Sequence, residues 1–260
     1  MRFCLLASGS RGNALWIESC GEAVLIDAGV SCRQVNLRAA GAGLDIGRLR
    51  ALVLSHEHGD HLSGARVLTR KHGLHVYATE GTARAWLDAG GEATSGLTHL
   101  RPGVTERIGV FRITPFSTSH DVADPVMFRV ENGSGQSLGL ATDLGIVTRL
   151  VEDRLSGCQA LVLESNHDPE MLIEGPYPWP LKQRIGSRVG HLSNGQAAEL
   201  LSRLCHPGLE RVVLAHLSET NNRPELALAA ARPVLPERVA LSVAEQNRPT
   251  PVFQIGGDES

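Results

Sequence analysis

The chain has 260 residues, of which 42% are hydrophobic and 20% are charged, as is ordinary for a globular protein. Its formal net charge of −3 gives no overall positive field for nucleic acid, although a local basic face is compatible with it. No apolar run is long enough to span a membrane, and the run at residues 3–6 is too short for a signal peptide. The five cysteines include no CxxC pair, which favours reduced thiols. We therefore expect one cytoplasmic domain over residues 1–260, without a membrane partner and with its oligomeric state left open.

The predicted elements alternate between strands and helices. Strands are expected at residues 3–7, 14–18, 23–26, 51–54, 75–78, 111–116, 126–130, 137–141, 160–163, 211–215, 239–242 and 252–255. Helices are expected at residues 31–40, 62–72, 80–89, 195–204 and 224–231, with Ser31, Thr79 and Ser193 or Asn194 as N-caps. Pro115 predicts an edge strand or a strand end, and the prolines at 176–180 predict an irregular arm. Residues 92–109 stay unassigned, and residues 256–260 are expected to form a loose tail.

Residues 55–61, which read Ser-His-Glu-His-Gly-Asp-His, lie between a predicted buried strand and a predicted helix. His56 and His58 point the same way if the strand continues, whereas Asp60 and His61 are expected to serve a second centre. Imidazole and carboxylate are the usual ligands of zinc and similar ions. If these imidazole and carboxylate groups were buried without a metal, several of their lone pairs would have no partner, and each would cost about 1–3 kcal/mol of stability. We therefore predict a metal site here; the alternative is a solvated polar turn.

A second pattern involves the carboxyl ends of the predicted strands. A His, Asp or Glu follows within a few residues of the strands that end at Ile26, Leu54, Phe116, Ala141, Leu163 and Ala215. This pattern indicates an α/β sandwich with a polar crevice at the strand ends. The remaining histidines outside this pattern are interpreted as surface or structural residues: His72, His75, His99 and His206. The loop at residues 8–13 either offers backbone N–H groups to an anion or is a plain hairpin turn.

Together these residues resemble the metallo-β-lactamase-fold hydrolases over nearly the whole chain. The stretch from His56 to His61 matches the HxHxDH signature of that family, and Asp27 matches the Asp of its first motif. The resemblance implies an α/β fold of the αββα four-layer sandwich type and two divalent ions, zinc or manganese. It implies that one ion is held by His56, His58 and His120, the other by Asp60, His61 and His216, and that Asp143 bridges them.

Finer features narrow the branch of the family. Asp143, where other members have Cys, resembles the phosphodiesterases rather than the lactam hydrolases. The segments at residues 8–13, 164–168, 190–194 and 216–222 look like the YycJ/WalJ group, described as DNA-processing with 5′-to-3′ exonuclease activity. That group is similar to tRNase Z and to phosphoribosyl cyclic phosphodiesterases, in which a His like His191 protonates the leaving group and a Glu like Glu164 supports it. Neither an inserted β-CASP domain nor a long exosite arm is evident, which disfavours RNA processing.

The resemblance implies hydrolysis of a phosphodiester, with DNA as the expected substrate. Two ions suit in-line displacement at phosphorus by a hydroxide held between them and oriented by Asp60. The departing oxygen needs a proton, and His191 is the candidate acid; its alternative interpretation is a polar residue before a helix. The residues predicted to contact substrate are Ser8, Ser10, Asn13 and His167.

Other functions remain open at this point. A small-molecule cyclic phosphodiesterase fits the acidic charge and the compact length as well as a nuclease does. A glyoxalase-type thioesterase and a redox protein of flavodiiron type need no such acid, so His191 and Glu164 argue against both. A metal-bound scaffold without catalysis is the weakest alternative, because seven candidate ligands are present.

Overall fold

The computed structural model describes residues 1–256, which form two seven-stranded β-sheets packed face to face with helices outside. The strands are β1 (Arg2–Ala7), β2 (Ala14–Ser19), β3 (Glu22–Ile26), β4 (Leu49–Val53), β5 (His75–Ala78), β6 (Leu97–His99), β7 (Glu106–Ile108), β8 (Phe111–Ser117), β9 (Val126–Asn132), β10 (Ser137–Ala141), β11 (Ala160–Glu164), β12 (Arg211–Ala215), β13 (Ala240–Val243) and β14 (Phe253–Gln254). The α-helices are α1 (Cys32–Gly41), α2 (Gly59–Leu62), α3 (Ala65–His72), α4 (Glu80–Asp88), α5 (Arg149–Leu155), α6 (Pro169–Glu174), α7 (Trp179–Ile185), α8 (Asn194–Leu204) and α9 (Pro224–Ala231). Short 3-10 turns occupy Ile46–Arg48 and Arg232–Val234.

Each sheet is antiparallel on one side and parallel on the other. The first sheet has the order β14-β1-β2-β3-β4-β5-β6 and is parallel from β3 to β6. The second has the order β13-β12-β11-β10-β9-β8-β7 and is parallel from β13 to β10. Ligands bind at the carboxyl ends of such parallel strands, and here the residues that follow β3, β4, β10 and β12 contact one another.

The alternation of side chains along the strands builds two apolar layers. Phe3 and Leu5 of β1 lie in the core shared with the second sheet, whereas Cys4 and Leu6 lie in the core beneath α1, α3 and α4. Helices α5, α8 and α9 cover the other sheet. Each fully buried aliphatic side chain stabilises this arrangement by about 1.5–3 kcal/mol relative to exposure. The predicted αββα sandwich is confirmed.

The helix starts follow the predicted caps. Ser31, Thr79 and Ser193 each accept a hydrogen bond from a first-turn amide, and Ser193 forms a capping box with Gln196. The predicted helix at 62–72 is instead divided into α2 and α3. It breaks at Gly64, whose N–H donates to the Ala28 carbonyl at 2.8 Å, so the chain there is tied to the neighbouring loop.

Some elements lack a local sequence signal. The unassigned stretch at 92–109 contains β6 and β7, whose three residues are too few to show a period. Helices α5 and α6 were not predicted, and α7 begins within the expected irregular arm. Pro115 lies inside β8 rather than at its end. The edge strand β7 pairs only with residues 111–113 of β8, so Pro115 lies beyond it, and its carbonyl accepts the Gly103 N–H at 2.7 Å. The predicted loose tail falls largely on residues 257–260, outside the described residues.

All five cysteines are free thiols, as predicted. Burial raises the pKa of the Cys4 and Cys158 thiols to about 11, which keeps them protonated and unreactive. Among residues 1–256, no helix is long and apolar enough to cross a lipid bilayer.

The turn that carries the HxHxDH stretch packs directly on two loops, the one between β1 and β2 and the one after β3. The Asn13 N–H donates to the Asp60 carbonyl at 2.7 Å, and the Ala28 N–H donates to the His61 carbonyl at 2.8 Å. A Cβ added at Gly29 would overlap the Asp60 carbonyl oxygen. The absence of a side chain at Gly29 therefore lets the two backbones approach.

We expect Gly29→Ala to lower the free energy of unfolding by about 1–3 kcal/mol, because backbone must move to admit the methyl group. Chemical denaturation measures the loss. Gly41→Ala is the matched control: it meets nothing within 4 Å and lies in α1, where Ala is favoured over Gly by up to about 1 kcal/mol. Equal stabilities for the two variants would contradict the packing described for Gly29.

Candidate metal centre

Three residues of the site leave their strands through left-handed backbone. Asp27, Asp143 and His216 have φ of 61°, 57° and 56°, close after β3, β10 and β12. Such backbone is uncommon for residues other than glycine, although Asp and His adopt it more readily than most. The backbone N–H of each residue donates a hydrogen bond. The acceptor is the Val53 carbonyl for Asp27 (2.9 Å), Glu164 Oε1 for Asp143 (3.0 Å) and Ser8 Oγ for His216 (2.7 Å). These bonds offset the strain of turning the three side chains into the crevice.

Two trios of ligand-type side chains meet there. The first comprises His56, His58 and His120, and the second comprises Asp60, His61 and His216; within each trio the ligand atoms lie within 4.8 Å of one another. In the first, His120 Nε2 is 3.2 Å from His58 Nδ1. In the second, Asp60 Oδ2 is 3.4 Å from His216 Nε2 and 3.5 Å from His61 Nε2.

Asp143 lies between the trios. Its Oδ2 is 3.3 Å from His61 Nε2, and its Oδ1 is 3.9 Å from His120 Nε2. The seven residues that the sequence singled out as metal ligands thus form one continuous cluster.

In three of the imidazoles, an oxygen atom accepts a hydrogen bond from Nδ1. His61 Nδ1 is 2.7 Å from Asp27 Oδ2, His120 Nδ1 is 3.2 Å from the Gly190 carbonyl, and His216 Nδ1 is 3.0 Å from Glu164 Oε1. A carboxylate or carbonyl oxygen only accepts, so each of these Nδ1 atoms carries a proton, and Nε2 is the nitrogen that faces the cluster. Ser55 contributes in the same way, because its hydroxyl donates to Asp27 at 2.7 Å and lies 3.0 Å from His56 Nδ1.

The donor set fits divalent cations. His56 Nε2 and Asp143 Oδ2 are buried and have no hydrogen-bond partner in the protein, which is costly unless a cation satisfies them. Convergent imidazole lone pairs and carboxylate oxygens are the ligands that zinc and manganese accept. The site is therefore a divalent-metal site by its own chemistry.

Beside its carboxylates, the cluster also favours positive charge. Burial by itself would lower the pKa of His216, but the charge of Asp143, with hydrogen bonds to Asp60 and Glu164, raises it to about 10. Burial opposes ionisation of Asp60, yet its hydrogen bonds to His216 and His61 hold its pKa below the usual range. The carboxylates thus stabilise cationic charge in their midst.

Glu164, at the end of β11, is buried and accepts five hydrogen bonds. Its Oε1 receives the Asp143 N–H at 3.0 Å, His191 Nδ1 at 2.9 Å and His216 Nδ1 at 3.0 Å. Its Oε2 receives the N–H groups of Leu144 and Leu192 at 3.0 and 2.9 Å. Burial would raise its pKa, but the His191 imidazole and these hydrogen bonds outweigh burial and lower it to about 2. Glu164 is therefore ionised and positions three parts of the site.

The four predicted substrate residues lie in different environments. Ser8 is buried and its hydroxyl accepts from the His216 N–H, while Asn13 Nδ2 is 3.2 Å from Asp60 Oδ2 and its Oδ1 accepts the Gly9 N–H. Both therefore support metal-ligand residues. His167 is buried, and desolvation lowers its pKa to about 4. Of the four, only Ser10 lines the cavity over the ligands.

This cavity has a volume of about 350 Å³. One wall comes from residues 169–190, which comprise α6, α7 and the turns that flank α7. We call this whole segment the arm; it includes the stretch at 176–180 that was predicted to be irregular. The arm contributes Tyr177, Leu181, Arg184 and Ile185 to the lining, next to His191. The sequence analysis did not identify these residues as part of the site, because the arm carries no motif. It also did not identify Ser55 as a supporting residue, although its position next to His56 could have suggested one.

The sequence matches the Beta-lactamase superfamily domain over residues 22–217. The chain belongs to that superfamily and is a metal-dependent hydrolase. It is 37% identical to the exodeoxyribonuclease YycJ of Bacillus anthracis over 239 residues, covering 92% of this chain and 90% of the relative. It is 36% identical to the exodeoxyribonuclease WalJ of Streptococcus pneumoniae over 229 residues, covering 87% and 85%. The resemblance to the YycJ/WalJ group is confirmed.

The fold likeness extends to solved structures. Zn²⁺-bound PqqB from Methylobacterium extorquens superposes with a TM-score of 0.74 at 20% identity, covering 96% of this chain and 99% of that chain. At this identity the likeness establishes the shared fold.

We expect Glu164→Gln to destabilise the protein, because its amide group would face buried N–H donors. The backbone N–H groups of Leu144 and Leu192 would lose their acceptor, and each buried N–H left without one lowers the free energy of unfolding by roughly 1–3 kcal/mol. Denaturation at pH 7 measures the loss, and Glu199→Gln, on the exposed face of α8, is the matched control that stays unchanged.

The difference in stability between wild type and Glu164→Gln should also depend on pH. The pKa of Glu164 is lowered from 4.5 to about 2, so its stabilising contribution is complete above pH 4.5 and disappears as the pH falls toward 2. The difference in stability between wild type and Glu164→Gln should shrink across that window. A constant difference would mean that Glu164 is not the ionised acceptor.

Proposed function

We propose that this enzyme is an exodeoxyribonuclease that uses two divalent ions, zinc or manganese, to hydrolyse DNA phosphodiesters in the 5′-to-3′ direction. The observation that carries the proposal is the pair of His191 and Glu164 beside the ligand cluster, with His191 Nδ1 2.9 Å from Glu164 Oε1. A metal-dependent lactam or thioester hydrolase needs no such pair, whereas a phosphodiesterase with an alkoxide leaving group does. The relatives named exodeoxyribonuclease support DNA as the substrate, and the likeness to the YycJ/WalJ group implies the polarity.

In this proposal the ligands divide as the resemblance implies. His56, His58 and His120 would hold one ion, Asp60, His61 and His216 would hold the other, and Asp143, which lies between the two trios, would complete the donor set. When bound, the two ions supply an ionised water near neutral pH and neutralise charge on the phosphoryl oxygens.

The protein's own groups complete the reaction. Asp60, one-fifth exposed at the cavity, accepts a hydrogen bond and orients the attacking water. The Nδ1–H group of His191 donates a hydrogen bond to Glu164 Oε1, so Nε2 is the nitrogen that delivers a proton to the departing oxygen. The Glu164 carboxylate accepts this hydrogen bond and so orients the imidazole ring of His191. As the P–O bond breaks, its electron pair stays on the oxygen, which takes this proton and leaves as an alcohol.

The function is tested with purified protein, loaded with Mn or Zn, on DNA labelled at the 5′ or the 3′ end. We expect nucleotide release from 5′ ends, turnover of bis-p-nitrophenyl phosphate and about two metal ions per chain by elemental analysis. His58→Ala and Asp143→Ala should each lose metal and nearly all activity. His99→Ala, an exposed histidine on β6, is the control that keeps both.

Several results would contradict this proposal. One ion or none in fully loaded wild type would exclude the dinuclear site. Turnover of lactams or glutathione thioesters with inert phosphodiesters would reverse the choice of substrate. Cleavage of small cyclic phosphodiesters without attack on DNA would favour the small-molecule alternative.

The role of His191 is tested by the leaving group. An alkoxide such as a deoxyribose 3′-oxygen needs a proton, whereas p-nitrophenolate is already stable as an anion. We therefore expect His191→Ala to slow DNA cleavage by roughly 10²–10⁴-fold while largely sparing bis-p-nitrophenyl phosphate.

Metal content distinguishes an acid from a ligand. The donor atoms of His191, Glu164, Asp143 and His216 also lie within 4.8 Å of one another, so the distinction has to be made by measurement. Wild-type metal content in His191→Ala is expected. Loss of metal, or an equal fall on both substrates, would make His191 a ligand or a structural residue.

A further inference from the structure

A buried side-chain amide near the end of the chain holds the loop at residues 8–13, which we call the β1–β2 loop. Gln246 lies between β13 and β14 and is only 8% exposed. Its Nε2 donates to the Gly12 carbonyl at 2.9 Å, across 234 residues of sequence, and its Oε1 accepts the Arg11 N–H at 2.7 Å. Both polar groups of the Gln246 amide therefore bind the same loop.

The β1–β2 loop in turn supports the second trio of ligands. Ser8 Oγ accepts the His216 N–H at 2.7 Å, and the Asn13 N–H donates to the Asp60 carbonyl at 2.7 Å. Asn13 Nδ2 lies 3.2 Å from Asp60 Oδ2 and 3.0 Å from His61 Nε2. The loop thus contacts every member of the second trio, whereas none of its hydrogen bonds within residues 1–256 reaches the first trio.

The β1–β2 loop depends on partners outside itself. Gly9 and Gly12 have φ of 140° and 153°, a backbone that residues with a side chain rarely adopt. Because glycine leaves the backbone many conformations, the contacts around such a loop decide which one it takes. Gln246 Oε1 also fills the space beside Gly9, where an added Cβ would lie only 2.7 Å away from it.

Gln246 is itself held in place by its backbone. The carbonyl of its neighbour Glu245 accepts the Ser8 N–H at 3.2 Å. Arg38 Nη1, on α1, donates to the Gln246 carbonyl at 3.0 Å and to the Leu6 carbonyl at 2.9 Å. These bonds join the Gln246 segment to the end of β1, so its side chain can restrain the loop.

Both partners of this contact lie outside residues 22–217, the region that matches the superfamily domain. The β1–β2 loop precedes that region, and Gln246 follows it. The restraint on the second trio therefore comes from the two ends of the chain rather than from the matched region.

We propose that Gln246 is a positioning residue for the ion of the second trio. By holding the β1–β2 loop, Gln246 keeps Ser8 and Asn13 against His216 and Asp60, so that this ion is bound tightly. The ion of the first trio does not depend on Gln246. The inference rests on the proposed division of two ions between the trios and adds a residue that touches neither ion.

The test is metal binding by the whole chain, prepared free of metal and titrated with Zn²⁺ in competition with a chromophoric chelator. Gln246→Ala should raise one of the two dissociation constants by roughly 10- to 100-fold, the usual effect of losing a group that supports a ligand, and should leave the other unchanged. Asp60→Ala should raise the same constant, whereas His58→Ala should raise the other one.

Two further variants separate positioning from a general loss of stability. Asn132→Ala removes another buried side-chain amide, which holds the turn between β9 and β10, so it should lower stability without changing either constant. Gln246→Glu keeps the shape of the side chain and the acceptor for the Arg11 N–H but loses the donor to the Gly12 carbonyl. It should raise the same constant as Gln246→Ala, and it provides the test if Gln246→Ala fails to fold.

The outcomes are distinct. A rise of both constants in the Gln246 variants, or of neither, would overturn the positioning role. An equal rise in Asn132→Ala would make the effect one of stability and would likewise overturn it. Binding of one ion or none by wild type would overturn the dinuclear site and this inference together, whereas absence of DNA cleavage with both ions bound would overturn only the nuclease function.

Discussion

The buried carboxylate of Glu164 is the group on which the catalytic centre depends. A carboxylate without solvent is stable only when its oxygens are fully hydrogen-bonded, and here five donors supply those bonds. Because the donors come from the turn after β10, the start of the loop before α8 and the turn after β12, one side chain fixes three segments that are distant in sequence. The proposed metal ligands Asp143 and His216 and the candidate acid His191 therefore share one anchor.

In the rest of the site, supporting groups hold three more of the candidate ligands. Asp27 and Ser55 orient His61 and His56, and the backbone of Gly190 orients His120. Left-handed backbone at three strand ends costs free energy that neighbouring hydrogen bonds offset. Such preorganisation means that the ligand atoms need little rearrangement on binding metal, which favours both affinity and correct geometry.

The arm gives the metal centre its context. The arm adds an apolar wall, and its contacts with Asp121 and Thr220 tie this wall to the loops that follow His120 and His216. Metal binding and the shape of the cavity are thus physically coupled through short loops rather than through the sheets.

Local patterns of the sequence, namely the alternation of strands and helices and the polar residues at strand ends, predicted an α/β sandwich with a polar crevice and a metal site at residues 55–61. The αββα type and the set of seven ligands followed from the resemblance to the metallo-β-lactamase-fold hydrolases. The sequence also indicated the caps at Ser31, Thr79 and Ser193, which depend on neighbours three residues away. Tertiary structure alone decided that Ser8 holds the His216 amide, 208 residues distant, and that Tyr177 and Arg184 line the cavity. It also broke the helix predicted at 62–72, through the contact of Gly64 with Ala28. Such pairings arise from how two sheets and an arm pack together, and no local period in the chain encodes which distant side chain will meet which backbone group.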